Sequence, residues 1–230
     1  MSTIADNISQ VAARIRRAEQ AAQRVADSVQ LLAVSKTKPA AAVREAYAAG
    51  VRDFGENYLQ EALGKQRELT DLPLCWHFIG PIQSNKTRDI AQNFAWVHSV
   101  DRLKIAQRLS EQRPAELPAL NICIQVNVSG EASKSGCTPA DLPALAAAIS
   151  ALPHLTLRGL MAIPEPTDDR AEQDAAFAAV RELNKSLQDS LNLPLDTLSM
   201  GMSHDLESAI AQGATWVRIG TALFGARDYP

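Results

Sequence analysis

The sequence predicts an α/β protein folded as one closed (β/α)8 barrel of the TIM type, with an extra helix at its N-terminus. Three observations carry this expectation. Eight short apolar runs alternate with stretches of helical periodicity along the 230 residues. Short loops without hairpin-type turns join them, so the strands run parallel in βαβ units. Eight is also the number at which such units close on themselves. The competing architecture, an open doubly wound sheet, calls for a GxGxxG turn after the first strand, and the chain reads Ser35-Lys36-Thr37-Lys38-Pro39-Ala40 there. The length suits a single domain over residues 1–230.

Residues 4–26 carry Ile4, Ile8, Val11, Ile15, Ala18, Ala22 and Val25 at helical spacing, which predicts the additional helix. Its arginines Arg14, Arg16 and Arg17 read as a solvated face. The first strand is the run from Leu31 into Ser35, and Pro39 and Gly50 bracket the helix after it. Val51–Phe54 is the second strand, with a helix to about Leu69, and Cys75–Ile79 is the third, with a helix from about Ser84. Ala95–Ser99 is the fourth, with Asp101 expected to cap a helix reaching Gln112. Leu120–Val128, rich in β-branched residues, is the fifth, followed by a helix over 139–150. The sixth strand is Leu155–Ile163 and its helix Arg170–Leu191. The seventh is Asp196–Met200, with a helix from Leu206 to Gln212, and Trp216–Ile219 is the eighth.

Composition narrows the function. Hydrophobic residues at 46% with 21% charged describe a soluble globular chain, and a net charge of −3 argues against a general nucleic-acid surface. No run of 18 apolar residues predicts a membrane span, and the first twenty residues lack the apolar block of a secretion signal, so a cytoplasmic protein is expected. Cys75, Cys123 and Cys137 are odd in number and lack CxxC spacing, so neither a disulfide framework nor a metal site is expected.

In barrels of this kind the working face is built from the loops after the strands, with phosphate often held after strands 7 and 8. Lys36 stands at the end of strand 1, where desolvation turns an ammonium into a nucleophilic amine that forms Schiff bases with carbonyl compounds. An exposed lysine beside Lys38 is the plain alternative. Ser203 in the loop after strand 7, with Gly220 and Thr221 after strand 8, offers hydroxyl and backbone donors for a phosphate. Arg218 in strand 8 needs an acceptor, either a buried carboxylate such as Glu56 or Asp205 or a ligand ring nitrogen that it would keep unprotonated. Asn57 and His77 point to the same rim, as ligand contacts or internal hydrogen-bonding groups. Met161 reads as core. Pyridoxal 5'-phosphate, with an aldehyde, a phosphate and a ring nitrogen, satisfies the set.

The segments LLAVSKTKP, DFGENYLQE, WHFIGPIQSNK, SKSG, LRGLMAIPEP, LSMGMSHDLESAI and VRIGTALFGARDY resemble, in order and across nearly the whole chain, the pyridoxal phosphate homeostasis proteins (the YggS/PROSC family). The resemblance implies a fold-type-III barrel related to the N-terminal domain of alanine racemases, with Lys36 in the internal aldimine. It places Ser203, Gly220 and Thr221 on the phosphate, Arg218 at the pyridine nitrogen, and Asn57 and His77 around the cofactor; His204 should not disturb the site. It implies a non-catalytic protein that binds, buffers and delivers the cofactor, with apoenzymes as acceptors, and a monomer is preferred. Racemisation needs a second acid/base, which a partner-domain tyrosine supplies in alanine racemases. Here Tyr47 is expected in mid-helix, Tyr229 is terminal, and Tyr58 is a weak candidate. A single-domain racemase or lyase is the alternative, and a lysine aldolase acting on a phosphorylated sugar is a third reading. Lys38 and Lys134 read as solvated loop lysines or as secondary acceptors for the cofactor.

Overall fold

The computed structural model describes residues 2–130 and 135–225. Eight strands close in sequence order into one parallel barrel: β1 (Gln30–Val34), β2 (Asp53–Glu56), β3 (Cys75–Phe78), β4 (Trp96–Val100), β5 (Leu120–Gln125), β6 (Leu155–Met161), β7 (Thr197–Ser199) and β8 (Trp216–Ile219). The seam is the pairing of β8 on β1, with Gln30 opposite Trp216 and Ala33 opposite Ile219. The helices are α1 (Ile4–Ala21), α2 (Ala40–Ala48), α3 (Leu59–Glu68), α4 (Thr87–Asn93), α5 (Leu103–Gln112), α6 (Leu142–Ser150), α7 (Arg170–Leu191), α8 (Leu206–Ala211) and α9 (Thr221–Phe224). Because α9 is a single turn, α1 takes the outer-ring position of an eighth helix and packs against α8, α9 and α2. It buries Ile8, Val11, Ile15 and Ala18, the stripe expected of its spacing.

Strand alternation sorts the core into two compartments. Ala33, Phe54, Trp76, Val97, Ile122, Leu160, Leu198 and Val217 face the helices in one large cluster. The alternate positions fill the barrel interior: Leu32, Val34, Ile79 and Trp216 in one group, and Trp96, Cys123 and Met161 in another. His77, His98, Ser199 and Arg218 have the interior parity and are likewise buried. The barrel is thus a packed core with a polar spine.

Several boundaries differ from the sequence expectation, each for a local reason. The first helix ends at Ala21 rather than 26, because Gln23 and Asp27 adopt left-handed φ of 55° and 60° and turn the chain toward β1. Strand 2 begins at Asp53, where pairing with Cys75 starts, and continues into polar Glu56. Strands 5 and 6 stop at Gln125 and Met161, where their mutual pairing ends. Strand 7 shrinks to Thr197–Ser199. A 3-10 turn, Ser84–Lys86, precedes α4, and α6 starts three residues later than expected, at Leu142. Asp101 does not cap α5. Arg102 holds the N-cap position without a side-chain bond, and the Asp101 carboxylate pairs with Arg102 at 2.7 Å. Arg14 is not part of a solvated face: it meets both oxygens of Glu207 at 2.9 Å and donates to the Ser203 carbonyl at 3.0 Å, while Arg16 and Arg17 are exposed. Lys134 and Tyr229 lie outside the described residues.

Between the sheet and α3 lies a buried ionic cluster. Lys65 Nζ donates at 2.6 Å to Glu56 Oε1, to Glu61 Oε1 and to the Ser35 carbonyl, and Ser35 Oγ donates to Glu56 Oε1 at 2.6 Å. Glu56 is fully buried, and burial raises its carboxyl above the usual range even beside this ammonium. Removing one partner of a buried pair leaves an uncompensated charge in a poorly polarisable medium. Lys65→Met is therefore expected to lower the unfolding free energy by about 3–5 kcal/mol in urea titrations. Breaking the exposed Arg44–Asp71 pair with Arg44→Ala should leave the midpoint unchanged within error.

Candidate functional site

The loops after the strands enclose a cavity of about 320 Å³, in the size range of small-ligand sites, lined by Val34, Lys36, Asn57, Ile79, Ile163, Met202, Ser203, His204, Arg218, Gly220 and Thr221. A larger concavity of about 490 Å³ runs along exposed residues of α7 and has no buried wall. Of the seven residues picked from the sequence, six meet in the 320 Å³ cavity: Lys36, Asn57, Ser203, Arg218, Gly220 and Thr221.

Lys36 reaches the cavity through strand parity: Leu32 and Val34 point into the barrel, and the next side chain of that set is Lys36, half-buried beyond the strand end. The backbone on either side of it is fixed from behind. Lys65 holds the Ser35 carbonyl, and Thr37, at a left-handed φ of 64°, donates its N–H to Glu61 Oε1 at 2.6 Å. Sequence reasoning missed this clamp, since a glutamate four residues before a lysine on a helix ordinarily marks an exposed pair.

Asn57 is fixed by Gly80, where a Cβ would stand 2.2 Å from the Asn57 carbonyl oxygen, so only glycine allows the β3 loop to pack there. Asn57 Oδ1 is buried and has no hydrogen-bond partner, an acceptor left for a ligand. The loop after β7 turns at Gly201, with φ of 96° and an ideal Cβ only 2.5 Å from Ala209 Cβ, so a side chain would push it off α8. Asp205 Oδ1 then takes the Met202 N–H at 2.6 Å, and Arg14 takes the Ser203 carbonyl. Asn7 Nδ2 donates to the Leu223 carbonyl at 2.9 Å, so α1 steadies the loops after both β7 and β8.

Arg218 lies at the cavity floor and is bonded to neither Glu56 nor Asp205. It donates to the Ser199 carbonyl at 2.7 Å, to Ser199 Oγ at 2.9 Å and to the Ala162 carbonyl at 3.0 Å. Burial pushes its pKa down to about 10, with Asp205 opposing, so it remains a cation at neutral pH.

His77 is not among the cavity-lining residues. Its ring lies deeper in the barrel, stacked on Trp96 at 5.5 Å, with Nδ1 2.9 Å from His98 Nε2 and Nε2 3.0 Å from Asp53 Oδ1. His98 Nδ1 in turn lies 2.7 Å from Ser199 Oγ. A chain of polar groups thus runs through the core from Arg218 by Ser199, His98 and His77 to Asp53 at the opposite mouth. His204, expected to leave the site alone, lines its rim half-exposed, with Nε2 3.4 Å from Asp205.

Residues 7–228 match the alanine racemase N-terminal domain family. The pyridoxal phosphate homeostasis protein of Pseudomonas aeruginosa is 79% identical over 229 residues, covering 100% of this chain and 98% of that protein. PipY of Synechococcus elongatus PCC7942, solved with PLP bound, is 45% identical with a TM-score of 0.85, over 97% of this chain and 100% of that one. Alanine racemase from Corynebacterium glutamicum, 19% identical, shares the fold with a TM-score of 0.70 over 94% of this chain and 61% of that one.

The buried histidines make stability pH-dependent. Burial lowers the pKa of His77 against the pull of Asp53; burial, His77 and Arg218 together hold His98 well below its usual value. Both stay neutral in the folded state while the unfolded chain takes up their protons below about pH 6.5. Their contribution is therefore present above that pH and lost as pH falls. Urea unfolding should give a flat free energy above pH 7 that declines below it, toward about 2.7 kcal/mol per pH unit for two protons. A flat profile down to pH 5.5 would show that the folded barrel accepts those protons.

Proposed function

Because the chain belongs to the pyridoxal phosphate homeostasis proteins, within the alanine racemase N-terminal domain family, we propose that it binds pyridoxal 5'-phosphate in the cavity at the strand ends and serves in keeping that cofactor's level. The observation that carries this is the meeting, in one cavity, of a half-buried amine, a buried guanidinium, two hydroxyls and an unpartnered Asn57 oxygen. When bound, pyridoxal 5'-phosphate supplies an aldehyde that an amine can hold covalently and a phosphate that accepts several N–H and O–H bonds. Lys36 supplies the amine. The Ser203 and Thr221 hydroxyls, with backbone N–H groups beside Gly220, supply donors to the phosphate. Arg218, a cation at neutral pH, would offer N–H groups to a ring nitrogen, which would then accept rather than donate. His77 lies deeper in the barrel and is linked to Arg218 only through His98 and Ser199.

The reading is one of holding and handing on, without turnover. Among the described residues no tyrosine lines the cavity: Tyr58 is exposed outside it and Tyr47 lies on α2. The titratable lining groups are Lys36, Arg218 and the half-exposed His204. A cavity open at the strand ends suits release to apoenzymes, and the protein is read as a cytoplasmic monomer.

Reconstitution with pyridoxal 5'-phosphate should produce an absorbance band near the visible edge that Lys36→Ala abolishes; no band in the wild type would overturn the reading. Ser203→Ala and Thr221→Val should each weaken binding about tenfold, the effect of one hydrogen bond to a charged group. Transfer to a defined apoenzyme in the presence of an aldehyde scavenger tests delivery: reactivation despite the scavenger supports direct hand-over, and its loss leaves buffering alone. Deuterium uptake at the α-carbon of amino acids, well above that with free cofactor, would overturn the non-catalytic reading.

A further inference from the structure

At the barrel mouth opposite the cavity, the first residues of β2 and β3, Asp53 and Cys75, meet His77, two positions along β3 from Cys75. His77 Nε2 stands 3.0 Å from Asp53 Oδ1 and 3.4 Å from Cys75 Sγ, and one ligand atom from each residue lies within 4.8 Å of the others. We propose that these three side chains form a site for a zinc-like divalent cation, held by a carboxylate, a thiolate and an imidazole, with its fourth position open to water.

The donor set is that of borderline-soft divalent metals, for which thiolate and imidazole are preferred ligands. Spacing agrees with it. Metal bonds of about 2.0–2.3 Å in a tetrahedron set their ligand atoms about 3.3–3.6 Å apart. The 3.4 Å between Cys75 Sγ and His77 Nε2 already falls in that range, the 3.0 Å between His77 Nε2 and Asp53 Oδ1 is a few tenths short of it, and the ligand atoms of Asp53 and Cys75 lie within 4.8 Å of each other. An entry path exists, because Cys75 is half-buried and the Asp53 side chain is 28% exposed, while His77 is buried behind them.

The imidazole is also held as a ligating histidine requires, with its other nitrogen in a hydrogen bond that fixes the ring. His77 Nδ1 meets His98 Nε2 at 2.9 Å, and the ring packs against both Trp96 at 5.5 Å and Trp216 at 4.9 Å. The polar chain accommodates either state. Without metal, His77 Nε2–H donates to Asp53, His98 Nε2–H donates to His77 Nδ1, and the Ser199 hydroxyl donates to His98 Nδ1. With metal on Nε2, each ring keeps one proton on its other nitrogen: His77 donates to His98, and His98 donates to Ser199 Oγ, which can accept there as well as from Arg218. The Cys75 S–H bond breaks, a sulfur–metal bond forms, and the thiol proton leaves to solvent. Sequence spacing hid the site, since Asp53 comes from a neighbouring strand and Cys75 has no second cysteine nearby.

The test uses the full chain, stripped with a chelator and titrated with Co(II). The wild type should develop a near-ultraviolet thiolate-to-cobalt band at one equivalent, with quenching of tryptophan fluorescence from Trp96 and Trp216, and Zn(II) should reverse both. Cys75→Ala, at a partly exposed strand start, should lose the band while keeping the wild-type circular dichroism and melting curve; Cys137→Ala should retain it. No band in the wild type, or an undiminished band in Cys75→Ala, would overturn the proposal. Lys36→Ala should titrate like the wild type, so this outcome is independent of cofactor binding.

Discussion

Everything at the working end depends on closure of β8 onto β1. That pairing joins segments about 185 residues apart in the chain, Gln30–Ala33 and Trp216–Ile219. Hydrogen bonding between parallel strands fixes their register, so the residues that follow each strand emerge side by side. One strand delivers Lys36 and the other Gly220 and Thr221, with Arg218 directly beneath. Closure also leaves no open sheet edge, and it forces alternate side chains into a shared interior that must be filled. The cavity is the part of that interior left open above the last filled layer.

What fills the interior is unusual in being polar at its axis. A guanidinium in a low-dielectric core is tolerated only with its N–H groups engaged. Ser199 and the Ala162 carbonyl meet that need, and the two histidines continue the chain to a carboxylate at the far mouth. On the other face of the sheet, the Lys65–Glu56–Glu61 cluster grips the backbone around Lys36. Two polar networks, one inside the barrel and one outside it, thus hold Arg218 from below and the backbone that carries Lys36 from behind. The N-terminal helix completes the support from the side, through Arg14 and Asn7. Such fixation lowers the cost of binding at this cavity, because less freedom remains to be lost when a ligand enters.

Much of this was legible in the chain. Hydrophobic periodicity is a local property, so the eight strands, α7 to its end residues, the extra N-terminal helix and the closed parallel barrel could be read from residue order. The rule that strand-end loops carry function then pointed to Lys36, Asn57, Ser203, Arg218, Gly220 and Thr221, which meet in one cavity; five of them stand within two residues of a strand end, and Ser203 four residues beyond β7. Strand ends were less legible, because they fall where a neighbouring strand stops pairing. Tertiary structure alone decided where long polar side chains find partners. Asp101 turned to Arg102, Arg14 to Glu207 and Ser203, Lys65 to Glu56, and His77 inward to His98 and Asp53 rather than to the cavity. A buried ion or ring satisfies its hydrogen-bonding demand with whichever group the fold brings within about 3 Å. Those groups come from strands and helices distant in sequence, and their meeting is set by barrel closure rather than by any local pattern.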